Sequence, residues 1–177
     1  WDLIDRVYCI SLVERTDRQA SVKAQFEHVG LGDKVIFHRV QRHPTDCEQG
    51  IFISHQACLK MGLAAGARHI LVFEDDVVFG TVDARRLREG ITFFLDRSDC
   101  QTLFLGCLAG RSWSTGTPGV RRVRYRCLAH AYLVNIARGD IVDEAALISA
   151  LQDVVDPEQI KQQLRRFRHA RLVQIIY

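Results

Sequence analysis

Three carboxylates stand side by side at Glu74, Asp75 and Asp76, inside the apolar stretch ILVFEDDVVF. Burying an unpaired carboxylate is costly, so this triplet must meet water, a cation or a basic partner. Alternate side chains of an extended backbone point the same way, so Glu74 and Asp76 share one side and Asp75 faces the other. Two converging carboxylates repel each other, and a divalent cation relieves that repulsion. Oxygen ligands favour Mg²⁺ or Mn²⁺, so a site for such a cation between Glu74 and Asp76 is one interpretation of the triplet. A solvated acidic turn, or a partner for nearby arginines, is the alternative.

The elements that must position these carboxylates alternate between strand-like and helical patterns. The continuous apolar run 69–73, directly before the triplet, is typical of a strand buried on both faces of a parallel sheet. Ser54 is the predicted N-cap of a helix over 54–66, after a polar loop over 41–50, and a second loop is predicted over 109–119. Strands are predicted over 6–12, 34–40, 69–73, 102–106, 123–128, 131–134 and 172–176, and helices over 17–29, 54–66, 84–95, 143–151 and 157–168. This alternation predicts an α/β domain with a mainly parallel central sheet, in which ligands bind beyond the carboxyl ends of the strands.

The composition indicates one globular domain, spanning residues 1–177. The chain is 47% hydrophobic and 25% charged, which is ordinary for a domain of this length. It has neither an apolar run of roughly 20 residues nor a signal-peptide pattern, so we expect a soluble protein. Six cysteines without zinc spacing favour a reducing compartment, and hence the cytoplasm. The chain starts without a methionine and almost at once on a strand, so we expect it to be trimmed at its N-terminus.

The basic residues are mostly arginines, with only four lysines among the 24 Lys and Arg. They concentrate at Arg121–Arg126 and Arg165–Arg171. Arginine grips phosphate and carboxylate in a bidentate manner, so these stretches predict contact with a nucleotide, an anionic glycan or lipid headgroups. A solvated face is the plainer interpretation of each. No nucleic-acid-binding motif is present, and we expect no nucleic-acid partner.

Three segments carry a family resemblance. VYCISLVERTDR (7–18), GIFISHQACL (50–59) and ILVFEDDVVF (70–79) resemble, in this order and approximate spacing, glycosyltransferase family 25. That family includes bacterial lipopolysaccharide and lipooligosaccharide galactosyltransferases and collagen galactosyltransferases. The segment HAYLV (130–134) is similar to a later strand of the same family. The resemblance is good over 7–79 and faint beyond it.

The resemblance implies a GT-A-like, Rossmann-like fold that transfers a sugar from a nucleotide sugar to a glycan hydroxyl. The implied donor is UDP-galactose, and the implied acceptor is a glycan such as lipopolysaccharide. The arginine-rich stretches add an expected peripheral contact with the inner membrane. The implied cofactor is Mn²⁺ (or Mg²⁺), held by Glu74 and Asp76, with Asp75 orienting the sugar. An inverting transfer needs a general base, which the sequence does not identify.

The resemblance also implies which other residues lie near the donor. Arg15, Asp17 and Arg18 follow the first strand and would lie near the nucleotide. A surface turn in which Asp17 caps the next helix is the alternative for this loop. Ser54 and His55 belong to the second motif, although a serine cap followed by a helix-borne histidine needs no chemistry.

One stretch points to a different enzyme. Residues 131–151, AYLVNIARGDIVDEAALISAL, resemble the late strand-turn-helix of the D-2-hydroxyacid dehydrogenases, in which the arginine at position 138 would grip the substrate carboxylate. Such enzymes need a G-x-G-x-x-G turn between a strand and a helix, and the sequence has none. We keep three alternatives to an active transferase: a fragment related to these dehydrogenases, a non-catalytic Mg²⁺-binding or signalling domain, and an inactive remnant.

Overall fold

Six strands form one sheet in a computed structural model of the chain, which describes residues 1–97, 99–100, 102–136 and 172–175. For residues 125–129 and 172–175 only the backbone is described. The predicted helices over 143–151 and 157–168, and the dehydrogenase-like arginine at position 138, lie outside the described residues. The elements are β1 (Arg6–Leu12), α1 (Thr16–His28), β2 (Val35–Val40), α2 (Cys47–Ala64), β3 (His69–Glu74), α3 (Ala84–Leu95), β4 (Thr102–Ser114), β5 (Val120–Asn135) and β6 (Leu172–Ile175).

The strand order in the sheet is β2-β1-β3-β5-β4-β6. β1 pairs in parallel with both β2 and β3, with α1 and α2 as the connecting helices. β5 runs antiparallel to β3 and to β4, and β6 is parallel to β4 and antiparallel to β5. The predicted α/β class is confirmed. Its parallel part, β2-β1-β3, leads into the acidic triplet.

The core lies on both faces of the sheet. On one face, Phe73 of β3 packs with Phe26 of α1 and Phe94 of α3. On the other face, Ile70 and Val72 of β3 belong to a second cluster that includes a cysteine of α2. Residues 70–73 are completely inaccessible to solvent, which confirms the prediction of a strand buried on both faces. No helix among the described residues is both long and apolar enough to cross a membrane.

The prediction for α2 was wrong about its beginning. The helix begins at Cys47, within the predicted polar loop 41–50, because the Asp46 side chain caps it by accepting from the Gln49 N–H at 3.0 Å. Ser54 is therefore an interior helical residue, and its hydroxyl donates to the Gly50 carbonyl at 2.7 Å. Glycine disfavours helix, so Gly50 hid the first turn from a pattern-based prediction. A side chain at that position would meet His43 Cβ at 2.7 Å.

The prediction of a long loop over 109–119 was also wrong. β4 continues through Ser114, and the turn is confined to residues 115–119, where Gly116 and Gly119 have positive φ values of 86° and 74°. β5 is one continuous strand rather than the two predicted. The serines, threonines and glycines of this segment suggested a loop, but long strand pairing overrides such local preferences. Register shifts between Phe104 and Arg111 mark bulges in the hairpin.

Gly62 allows α2 to lie close against β3. A Cβ on Gly62 would overlap Ile70 Cδ1 and approach Ile70 Cγ1 to 2.8 Å. Ile70 is completely buried and cannot move aside.

We expect Gly62→Ala to lower the free energy of unfolding by about 1–3 kcal/mol, because overpacking outweighs the better helix propensity of alanine. Ile70→Val removes the colliding Cδ1 atom, so Gly62→Ala should cost less in that background. Urea unfolding of the two single variants and the double variant measures this coupling. If the two substitutions lowered the free energy of unfolding additively, the close approach of Gly62 to Ile70 would be contradicted.

Asp5 fixes the beginning of β3 beside β1. Its Oδ2 accepts from the Arg68 and His69 N–H groups, both at 2.8 Å. Burial raises the pKa of Asp5, but these two hydrogen bonds and the nearby His69 outweigh it and bring the pKa below its ordinary 3.8.

Because the folded-state pKa is depressed, the stability that Asp5 contributes is present above pH 3.8 and is lost as the pH falls through the folded-state value. Asp5→Asn keeps an acceptor oxygen and removes only the charge. We expect the wild type to exceed Asp5→Asn in stability at neutral pH, and the difference to shrink progressively as the pH falls below 3.8. Urea unfolding over a pH series measures it, and a pH-independent difference would exclude the charge as the cause.

Candidate metal and donor site

Strand register brings the acidic triplet against two neighbouring strands. On β1, Ile10 lies opposite Glu74, so the next residue, Ser11, lies beside Asp75. On β5, Ala131 lies opposite Phe73, so the preceding residue, His130, lies beside Glu74. The carboxyl end of β3 is therefore flanked by a hydroxyl on one side and an imidazole on the other.

Glu74, Asp76 and His130 form a compact cluster. Their nearest ligand atoms all lie within 4.8 Å of one another. His130 Nδ1 is 2.9 Å from Asp76 Oδ1 and 3.3 Å from Glu74 Oε2. Glu74 and Asp76 thus share one side of the chain, as alternation along the strand predicts. Two carboxylates and an imidazole are a ligand set that suits Mn²⁺, and the partial exposure of the cluster leaves room for further ligands.

His55 of α2 holds Glu74 from the other side. Its Nε2 is 3.4 Å from Glu74 Oε1, and its Nδ1 forms a 2.9 Å hydrogen bond with the Tyr132 hydroxyl. The hydrogen bond with His55 lowers the pKa of Glu74, and the charges of His55 and His130 add to it against the opposing effect of burial. Glu74 is accordingly a carboxylate at neutral pH. The sequence-predicted His55 lies beside the cluster.

Asp75 points to the opposite side and has its own partners. Its Oδ2 accepts from Ser11 Oγ at 2.7 Å, and its Oδ1 accepts from Arg18 Nη1 at 3.1 Å. Its side chain is only 10% exposed. Arg18 also lies 4.0 Å from Asp76 Oδ2, which brings one sequence-predicted arginine next to the triplet.

The other predicted donor-binding residues are not in contact with the cluster. Arg15 and Asp17 form a bidentate ion pair with each other, at 2.9 and 2.7 Å, and their pairing lowers the pKa of Asp17. Arg15 itself is at the N-cap position of α1, so Asp17 lies in the first turn and is not the cap that the alternative interpretation expected. Ser54 is buried, and its hydroxyl is used within the helix.

His130, Tyr132 and Ser11 were not predicted as site residues. Residues 131–134 were predicted only as a strand, and 130–134 as similar to a later strand of glycosyltransferase family 25. What brings it to β3 is antiparallel pairing between strands far apart in sequence, and no local pattern signals such a pairing. Ser11 was hidden for a similar reason, because a serine at the end of an apolar strand suggests only a strand end.

A cavity of about 640 Å³ lies elsewhere, between α1, α3 and the loop that follows the acidic triplet. Trp1, Val29, Phe79 and Ile91 are among its lining residues, and the Trp1 indole donates to the Val29 carbonyl at 2.7 Å. None of the cluster residues lines it. The acidic cluster and this cavity are separate features of the surface.

Comparison with solved structures finds chains of similar fold. One similar structure is that of a mannose-1-phosphate geranyltransferase from Thermus thermophilus, with a TM-score of 0.54, 10% identity, and coverage of 96% of this chain and 73% of the other. A glycosyltransferase involved in glycosylation of the major capsid of PBCV-1 has a TM-score of 0.47 and 13% identity, with coverage of 96% of this chain and 81% of the other. Mouse xyloside xylosyltransferase 1 has a TM-score of 0.47 and 13% identity, with coverage of 94% of this chain and 76% of the other. At such identities the first match shows the fold alone, which is GT-A-like, and the other two carry no argument.

A family model described as "D-isomer specific 2-hydroxyacid dehydrogenase, NAD binding domain" matches residues 125–165. This is less than a quarter of the chain, and only the part up to residue 136 lies within the described residues. No curated protein matches the chain. The match agrees with the dehydrogenase-like pattern in the sequence, but it does not assign the chain to that family.

The two neighbouring aspartates should differ in their effect on stability. Asp75 is nearly buried and accepts two hydrogen bonds, whereas Asp76 is partly exposed and lies near Glu74, whose charge repels it. We expect Asp75→Ala to lower the free energy of unfolding by about 1–3 kcal/mol and Asp76→Ala to change it by less than about 1 kcal/mol. Urea unfolding without added metal measures both. Equal losses of unfolding free energy in the two variants would show that Asp75 does not stabilise the fold more than Asp76 does.

Proposed function

We propose that this protein is a metal-assisted glycosyltransferase that moves a sugar from a nucleotide sugar to a glycan hydroxyl. The observation that carries the proposal is the Glu74–Asp76–His130 cluster at the carboxyl end of β3 in a GT-A-like fold. Ligands bind at the carboxyl ends of parallel strands in open α/β sheets, and β3 is the last strand of the parallel part, next to the antiparallel β5.

The three residues fit a divalent cation, Mn²⁺ or Mg²⁺. Glu74 and Asp76 would supply oxygen ligands and His130 a nitrogen ligand, once its ring nitrogen has lost its proton. The bound ion would neutralise the negative charge that develops on the leaving diphosphate. His55, hydrogen-bonded to Tyr132, orients the Glu74 carboxylate, as groups behind a metal ligand commonly do.

The remaining residues of the site would serve the donor. Arg18 lies beside the triplet and has donors to spare for a phosphate oxygen, since only its Nη1 atom is held by Asp75. Asp75, fixed by Ser11 and Arg18, would orient the sugar. Arg15 and Asp17 lie at the beginning of the same helix, α1, and would approach the nucleotide only after their mutual ion pair opens.

The finer identity of the substrates rests on the resemblance to glycosyltransferase family 25. We propose UDP-galactose as the donor and a glycan such as lipopolysaccharide as the acceptor, with the transfer in the cytoplasm at the inner membrane. The general base is unassigned, as is the linkage formed.

A dehydrogenase-related activity is the second candidate, favoured by the family-model match over residues 125–165. It would require a site for a nicotinamide dinucleotide. The sequence lacks the glycine-rich turn that holds the pyrophosphate in such enzymes. A non-catalytic Mg²⁺-binding domain, the third candidate, would bind the metal ion but not the nucleotide.

Calorimetric titration separates these candidates. We expect Mn²⁺ to bind to the wild-type protein, and UDP and UDP-galactose to bind only in its presence. Asp76→Asn and His130→Gln should each weaken Mn²⁺ binding about tenfold or more, because each removes a proposed ligand. Asp33→Asn, which neutralises an exposed carboxylate before β2, is the matched control and should bind as the wild type does.

Other outcomes of the titration would favour the alternative functions. Binding of NADH without binding of UDP would favour the dehydrogenase-related candidate. Metal binding that is lost in the variants but brings no nucleotide affinity would favour the non-catalytic domain. Release of UDP from UDP-galactose, measured with glycan acceptors, then tests the transfer itself.

A further inference from the structure

The hairpin of β4 and β5 is strongly and uniformly basic. Between Thr102 and Asn135 the sequence contains five arginines and neither aspartate nor glutamate. The proposed transfer site uses only His130 and Tyr132, at the end of this hairpin far from its turn. The arginines therefore need a separate explanation.

Cross-strand register places four side chains on one face of the hairpin, which we call the arginine face: Arg111, Trp113, Arg122 and Arg124. Arg111 lies opposite Arg124, and Trp113 lies opposite Arg122, with no register shift between the two pairs. Directly opposed like charges destabilise an antiparallel pair unless an anion lies between or above them. Arg122, which lies opposite Trp113, has an anionic partner, because its Nη2 donates to Asp99 at 3.2 Å.

Arg111 and Arg124 differ from Arg122 in this respect. Both are exposed, and neither forms an ion pair with an acidic side chain within the part of the chain that the structure describes. Trp113, two residues after Arg111 on the same face, is 50% exposed, and Leu108, nearer the bulges of β4, is 45% exposed. The hairpin therefore presents two unneutralised charges next to large apolar side chains.

We propose that the arginine face binds the surface of a membrane rich in anionic phospholipids. Arginines are attracted to the negative potential of such a surface, and tryptophan settles at the level of the headgroups, with its ring in the apolar boundary and its N–H in water. A soluble polyanion would match the arginines, but it would leave the exposed Trp113 and Leu108 without a favourable environment.

This contact would place the metal cluster near the membrane surface. Arg124 is six residues from His130 along β5, about 20 Å of extended strand. The protein would thus act on acceptors that stand out from the lipid headgroups. The proposal does not depend on the transfer reaction, because binding to lipid needs neither metal nor nucleotide.

Co-sedimentation with lipid vesicles tests it, using vesicles of phosphatidylcholine alone and vesicles that also contain phosphatidylserine, without Mn²⁺ or nucleotide. We expect binding only to the anionic vesicles, weakened by added salt. The double variant Arg111→Gln/Arg124→Gln should bind about tenfold or more weakly. The double variant Arg42→Gln/Arg68→Gln removes the same charge from exposed positions elsewhere and should bind as the wild type does.

Brominated lipid tests the tryptophan directly. It should quench the fluorescence of the wild-type protein, and most of that quenching should disappear in Trp113→Phe while Trp1 remains. Equal losses in the two double arginine variants would show that only net charge matters and would overturn the proposal. So would binding to dextran sulfate that is as tight as binding to the anionic vesicles and is unaffected by Trp113→Ala.

Discussion

Electrostatic repulsion between Glu74 and Asp76 is the constraint around which the described part of this protein is arranged. Both carboxylates stand on the same side of the chain where β3 ends, within reach of one imidazole. A cluster of like charges is stable only if positive or hydrogen-bonding groups surround it. The fold supplies them from different elements: His55 from α2, His130 from β5 and Arg18 from α1. Of these groups, His55 and then His130 lower the pKa of Glu74.

The third carboxylate shows how adjacent residues of one type acquire different roles. Asp75 faces away from its neighbours, is nearly buried, and is bound by Ser11 and Arg18. Its position holds the β1–α1 loop against the end of β3. Asp75 can therefore orient the surroundings of the cluster, whereas Asp76, which is partly exposed, is available to an ion. The alternation of a strand is enough to produce this division.

The sequence predicted those parts of the site that local periodicity determines. The opposite directions of Asp75 and its neighbours follow from the strand pattern, and the observed bounds of β1 and α3 agree with the predicted ones. The beginning of α2 was missed because Gly50 interrupts the helical pattern, and its place in the helix depends on contact with His43. The long hairpin was missed because its residues favour turns when considered alone. His130 was missed because its contact with Glu74 depends on pairing between β3 and β5, which are far apart in sequence.

The dehydrogenase-like match acquires a physical interpretation from the same strand. It begins at residue 125, inside β5, and β5 is also the strand that brings His130 to the metal cluster. Residues Ala131–Val134 are buried between β3 and β4, a position that favours mostly apolar side chains in any α/β sheet. A buried strand of this kind satisfies the sequence preferences of both enzyme classes. The described part of the match is thus a buried strand, whereas His130 lies at its edge beside Glu74 and Asp76.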